Sequence, residues 1–130
     1  MTALRIEHIA AYVSDLEGAR EFFEKYFSAD AGKLYHNPKN GFSSYFLTFD
    51  DGARLEIMQK SCVDIIDNST AHSGYIHMAF SVGSREAVDA LTERLRADGY
   101  EIASGPRTTG DGYYESVVLG CENILIEITV

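Results

Sequence analysis

Two stretches of the chain repeat one order of apolar and polar positions. HIAAYVSDLEGAREFFEKYF, from His8, lies over HMAFSVGSREAVDALTERLR, from His77, sixty-nine residues further on. His8/His77, Ala10/Ala79, Val13/Val82, Glu17/Glu86 and Glu24/Glu93 are identities in that register. Each stretch opens with apolar residues at a strand's two-residue period, crosses a short polar turn, and changes to the three- and four-residue spacing of an amphipathic helix. A repeat of this kind fixes the architecture before any local reading.

In the first copy, Leu4 to Val13 reads as a strand. Ser14-Asp15-Leu16-Glu17 has the form of a capping box, with Ser14 as the cap and Glu17 reaching back. The helix is expected from about Glu17 to Phe27, with Ala19, Phe22, Phe23 and Tyr26 on its apolar face. Strands follow near Lys33 to Tyr35, Ser43 to Phe49 and Ala53 to Met58, with Asp50-Asp51-Gly52 turning between the last two. In the second copy, Gly74 to Val82 is a strand. Arg85 to Ala97 is a helix with Val88, Leu91 and Leu95 inward, and Asp98-Gly99 ends it. Strands near Glu101 to Ala103, Tyr113 to Leu119 and Asn123 to Thr129 complete the copy, and Ser104 to Gly112 reads as a flexible loop. The expectation is an α+β fold: one domain over 1–130, made of two βαβββ modules (about 1–59 and 74–130) joined by a polar connector at 60–73.

Composition narrows the function classes. The 130 residues are 45% apolar and 24% charged, an ordinary globular balance. Eleven Lys and Arg against twenty Asp and Glu give a net charge of −9, which opposes binding to nucleic acid or an anionic membrane through bulk charge. No apolar run approaches the roughly 20 residues of a membrane span. The start, MTALRIEH, has charges where a signal peptide needs an apolar core. Cys62 and Cys121 are too few for a disulfide framework. A soluble cytoplasmic protein is the expectation.

Strand parity then selects the residues that could carry chemistry. Ile9, Ala11 and Val13 can face the first helix, which leaves Ile6, His8, Ala10 and Tyr12 opposite. Leu55 and Ile57 leave Arg54, Glu56 and Met58. Met78, Phe80 and Val82 leave Tyr75, His77, Ala79 and Ser81, and Ile126 and Ile128 leave Leu125, Glu127 and Thr129. His8, Glu56, His77 and Glu127 thus sit mid-strand on the helix-free faces, in the first and last strand of each module. A single strand histidine is usually a hydrogen-bonded core residue, and a single strand glutamate usually faces solvent. Four at repeat-equivalent positions are harder to explain that way. Two imidazoles and two carboxylates are a competent set for a divalent cation. His36 and His72 lie in turns and read as surface histidines. Phe42, Tyr45, Tyr113 and Tyr114 are candidate wall residues, and Arg54, Lys60 and Arg107 are candidate partners for an anionic tail.

With IEHIAAYVSDLEGAREFFEKYF, LEIM, GYIHMAFSV and ILIEI, the chain resembles the vicinal-oxygen-chelate superfamily, which includes glyoxalase I, bleomycin-resistance proteins and extradiol dioxygenases. The resemblance covers nearly the whole chain. It implies paired βαβββ modules whose mixed sheets cup a metal, with helices on the outer face and His8, Glu56, His77 and Glu127 as ligands. Glu56 in the fourth place implies the glyoxalase I-like branch: a lyase or isomerase that abstracts a proton beside a metal-polarised carbonyl. Glu127 is then the principal base, Glu56 its counterpart, and nickel, zinc or cobalt the cation. The resemblance also implies a homodimer with sites shared between chains. Tyr12 stands where bacterial glyoxalase I usually has arginine, Gln59 and Lys60 fall near its usual asparagine, and Gly120-Cys121-Glu122-Asn123 replaces its DPDG turn. A drug-binding resistance protein, an epimerase and a dioxygenase of the same superfamily are the alternatives.

Overall fold

A computed structural model describes residues 2–68 and 70–130. The chain divides into two compact units, Met1–Ile65 and Ile66–Val130.

Unit one contains β1 (His8–Tyr12), α1 (Leu16–Phe27), β2 (Asp30–Ala31), β3 (Tyr35–Asn37), β4 (Phe42–Thr48) and β5 (Arg54–Gln59). Its sheet runs β1-β5-β4-β2, with β3 also paired to β4. β1 lies parallel to β5, and β4 lies antiparallel to it, so the sheet is mixed. Unit two contains β6 (His77–Ser81), α2 (Arg85–Ala97), β7 (Glu101–Thr108), β8 (Tyr114–Leu119) and β9 (Leu125–Thr129), in the order β6-β9-β8-β7. Again the first and last strands are parallel and the rest antiparallel. This is the expected α+β pair of modules. The first carries one extra two-residue strand.

Each core lies between a helix and its sheet. Phe22, Phe23, Tyr26 and Phe27 of α1 are buried with Leu47, Leu55 and Ile57. Their rings meet at centroid distances of 5.1–6.0 Å, within the range of favourable aromatic contact. α2 is less apolar. Val88 and Leu95 are buried as expected, but Thr92 is buried in place of the half-buried Leu91. The Thr92 hydroxyl is within 2.6 Å of the Val88 carbonyl and 2.7 Å of the Ser116 hydroxyl, so the buried polar pair is satisfied.

Four local expectations are corrected. The first strand starts at His8 rather than Leu4, where its parallel pairing with β5 begins opposite Arg54. The α1 cap is Asp15 and not Ser14: the Asp15 carboxylate accepts from the Gly18 amide at 3.0 Å. That places Glu17 one position too early to reach back, and it accepts from Tyr45 and Arg20 instead. Gln59 fastens the same helix start, accepting from the Leu16 amide at 3.1 Å and donating to the Ser14 carbonyl at 2.9 Å. The third strand falls on Tyr35–Asn37, held by pairing to β4.

The largest correction is β7. Ser104 to Thr108, read as loop from its Gly, Pro and Thr content, continues the strand through two register shifts. Such bulges let an edge strand absorb residues that a regular ladder rejects. Gly105 is required there. Its φ is +77°, and a Cβ would come within 2.6 Å of the Glu115 carbonyl oxygen.

Candidate metal centre

In unit one the parallel register pairs His8 with Arg54 and Ala10 with Glu56. His8 and Glu56 therefore share the face away from α1, since the alternate residues Leu55 and Ile57 are buried under the helix. Phe46 lies directly across from Glu56 and joins them on that face. Its ring stands edge-on to the His8 imidazole at 5.3 Å and 81°. The His8 Nδ1 is 3.2 Å from Glu7 Oε1. Arg54 holds Glu7 in turn, with Nε 2.7 Å from Oε2, and stacks over Phe46 at 4.2 Å. The hydrogen bond from Arg54 holds the Glu7 carboxyl down at about 2, so it is an acceptor at neutral pH.

Unit two repeats the register. β6 pairs His77 with Leu125 and Ala79 with Glu127. In both units the histidine is two residues before the residue opposite the glutamate. Here the two side chains meet: His77 Nε2 is 3.4 Å from Glu127 Oε2. A second carboxyl adjoins them. Glu115 faces the same way as Glu127, being two pairs along the ladder from it, and hydrogen-bonds to it. That contact, with burial second, pushes the Glu115 carboxyl up to about 7. Glu115 Oε2 is out of water and has no hydrogen-bond partner among the described residues.

The residues suit a divalent cation. Neutral imidazole nitrogen and ionised carboxylate are the donors that nickel, cobalt and zinc share, and two carboxylates balance a 2+ charge. Two donors bound at about 2.0–2.2 Å to one tetrahedral ion are roughly 3.3–3.6 Å apart, and the His77–Glu127 separation falls in that range. Among the described residues, no three His, Cys, Asp or Glu side chains are grouped suitably for a metal ion; what the structure shows is one histidine and one glutamate on the helix-free face of each unit.

The other candidates separate clearly. Tyr45 and Tyr114 point to the helices and not to the open faces. Tyr45 donates to Glu17, with Arg20 5.8 Å over its ring, and Tyr114 donates to Asp89 at 2.5 Å, with Arg85 4.6 Å over its ring. Both phenols are pushed up by those carboxylates. Phe42 packs on Tyr35 at 6.1 Å, and Tyr113 is exposed. Lys60 lies 5.0 Å over the Tyr12 ring. Arg107 sits across from Glu115, its Nε 3.3 Å from the Ser104 hydroxyl. His36 pairs with Ser43 at 2.7 Å, and His72 donates to the Ser73 carbonyl at 2.8 Å. Cys62 and Cys121 are not joined in a disulfide. Sequence reasoning missed Glu7, Phe46 and Glu115. Strand parity points to the last two, Phe46 being next to buried Leu47 and Glu115 being out of step with buried Ser116 and Val118, whereas Glu7 precedes its strand and has no parity signal.

Comparison with known proteins gives the family. The profile of the Glyoxalase/Bleomycin resistance protein/Dioxygenase superfamily matches residues 5–128. The uncharacterized protein YqjT of Bacillus subtilis is 31% identical over 127 residues, covering 95% of this chain and 96% of its own. The trypanothione-dependent glyoxalase I of Leishmania major has the same fold at a TM-score of 0.77, with 18% identity over 98% of this chain and 86% of that one. The fosfomycin resistance protein FosX of Listeria monocytogenes superposes at 0.69, with 25% identity over 96% and 89%. No helix among the described residues is long and apolar enough to cross a membrane. With nearly its full length matched, and with the paired mixed sheets already described, the chain belongs to the glyoxalase/bleomycin resistance protein/dioxygenase superfamily.

Proposed function

We propose that this chain is a metal-dependent lyase or isomerase of the glyoxalase I-like kind, moving a proton beside a carbonyl of a small-molecule substrate. The observation that carries the reading is the shared register: each unit places one histidine and one glutamate on its helix-free face, at the same ladder positions. His8, Glu56, His77 and Glu127 would hold nickel, zinc or cobalt. When bound, the cation supplies Lewis-acid polarisation of a carbonyl oxygen.

The rest falls to the chain. Glu127 takes the proton from the neighbouring carbon and returns it to the adjacent one. His77, 3.4 Å away, fixes one of its oxygens, and Glu115 hydrogen-bonds to the same carboxyl. Glu56 has Ala10 and Phe46 directly across from it and is the supporting ligand. The working form is a homodimer with two equivalent shared sites. Sedimentation at micromolar concentration is expected to give a dimer, and a monomer there contradicts it.

The chemistry is tested by solvent-deuterium exchange at the carbon beside the carbonyl, screened over hemithioacetals and acyl thioesters. Glu127→Gln keeps the shape and removes the basicity, so exchange should fall by about 100-fold or more. Exchange at the wild-type rate with metal bound would make Glu127 only a ligand. The likeness to FosX supports a second reading, a drug-resistance protein. It predicts no exchange with any carbonyl substrate, together with protection of cells against fosfomycin.

A further inference from the structure

We propose that Glu7 is a positioning residue for the metal site: its carboxylate fixes the His8 imidazole with the proton on Nδ1 and leaves Nε2 as the free donor atom. The inference rests on the metal reading above and adds to it a residue outside the ligand set.

The contacts around His8 are one-sided. Glu7 Oε1 is 3.2 Å from Nδ1, and a carboxylate only accepts, so Nδ1 carries the hydrogen. Arg54 keeps Glu7 in place through both carboxylate oxygens, and its own amide donates to the Glu7 carbonyl at 2.9 Å. The Phe46 ring braces the imidazole and at the same time supports the Arg54 guanidinium. Three side chains are thus ordered around one histidine.

Stability is a weak reason for such an arrangement. The side chains of His8, Glu7 and Arg54 are 42%, 61% and 38% exposed, and exposed ion pairs contribute little. Ordering long side chains at a surface also costs rotamer entropy. What the arrangement does accomplish is a choice of tautomer. A free neutral imidazole favours hydrogen on Nε2, which would block that nitrogen as a ligand. A carboxylate on Nδ1 reverses the preference and makes Nε2 more basic, the usual way in which a metal-binding histidine is oriented. The contact of His77 is of the other kind, Nε2 with Glu127 at 3.4 Å.

The test uses the full chain, with ring-nitrogen NMR of metal-free protein and cobalt(II) titration side by side. Wild-type His8 is expected as the Nδ1–H tautomer. Glu7→Ala should shift it toward Nε2–H and weaken cobalt binding by about 10- to 100-fold. Glu7→Gln, whose amide oxygen still accepts from Nδ1–H, should recover most of that loss, and Arg54→Ala should fall between. Unchanged unfolding midpoints would exclude a merely structural effect, as the exposure of these residues leads one to expect. An Nε2–H tautomer in wild type, or cobalt affinity unaltered in Glu7→Ala, overturns the proposal. A wild type that binds no cobalt overturns the metal reading, and the tautomer then still decides whether Glu7 orients His8.

Discussion

The two units place a histidine and a glutamate in one register but support them differently. In unit one the histidine is held from outside the pair, by Glu7, Arg54 and Phe46, over a core of four aromatic rings. In unit two the histidine meets its glutamate directly, a further carboxyl presses on that glutamate, and the core includes a threonine–serine hydrogen bond. The duplicated backbone is conserved between the halves, while the side chains around it differ. Under the proposed function, unit one would present a preoriented ligand, and unit two would concentrate the proton chemistry at His77, Glu127 and Glu115.

The contrast between the cores gives the largest stability effect. Phe23 and Thr92 occupy equivalent positions on α1 and α2, counted from the helix starts. Phe23→Ala should cost about 3–5 kcal/mol, because neighbouring rings cannot fill the space. Thr92→Val removes the hydroxyl's contacts with both the Val88 carbonyl and the Ser116 hydroxyl while keeping the volume, and should cost about 1–2 kcal/mol. Adding Ser116→Ala should restore most of it, since no lone hydroxyl is then left buried. Denaturant titration of the three variants checks the order, and equal losses for Phe23 and Thr92 would erase the distinction.

A smaller effect tests the carboxyl pair of unit two. The Glu115 carboxyl is raised from 4.5 to about 7 in the folded metal-free chain. Between those values the folded state holds more protons than the unfolded state, so this group's contribution to stability declines as pH rises through the window. Above about 7 the penalty is complete. Glu115→Gln removes it and should raise the unfolding midpoint by roughly 2–4 °C at pH 8, with little change at pH 4. A variant less stable than wild type at pH 8 would contradict the pairing.

What the sequence showed followed from periodicity. Two-residue alternation in strands buried on one side placed His8, Glu56, His77 and Glu127 on the helix-free faces, and the 3.6-residue pattern gave Arg85–Ala97 to the residue. Features that break periodicity were hidden. β7 passes through Gly105 and Pro106 by bulging, so its second half looked like a loop. Asp15 and Ser14 are both good caps, and only the backbone geometry chose between them. Tyr45 and Tyr114 looked like cavity walls until register placed them under helix carboxylates. Glu7 stands outside any element, so its contact with His8 has no trace in spacing.

The central claim is that the two units contribute equally to one kind of cation site, and metal stoichiometry tests it most directly. Wild-type protein reconstituted with cobalt(II) or zinc and desalted is expected to retain about one ion per chain, the complement of a single four-ligand site. His8→Ala and His77→Ala should each reduce it to near zero, while His36→Ala and His72→Ala, outside the shared register, should leave it unchanged. Full metal content in His77→Ala, or equal loss in all four variants, would contradict the account.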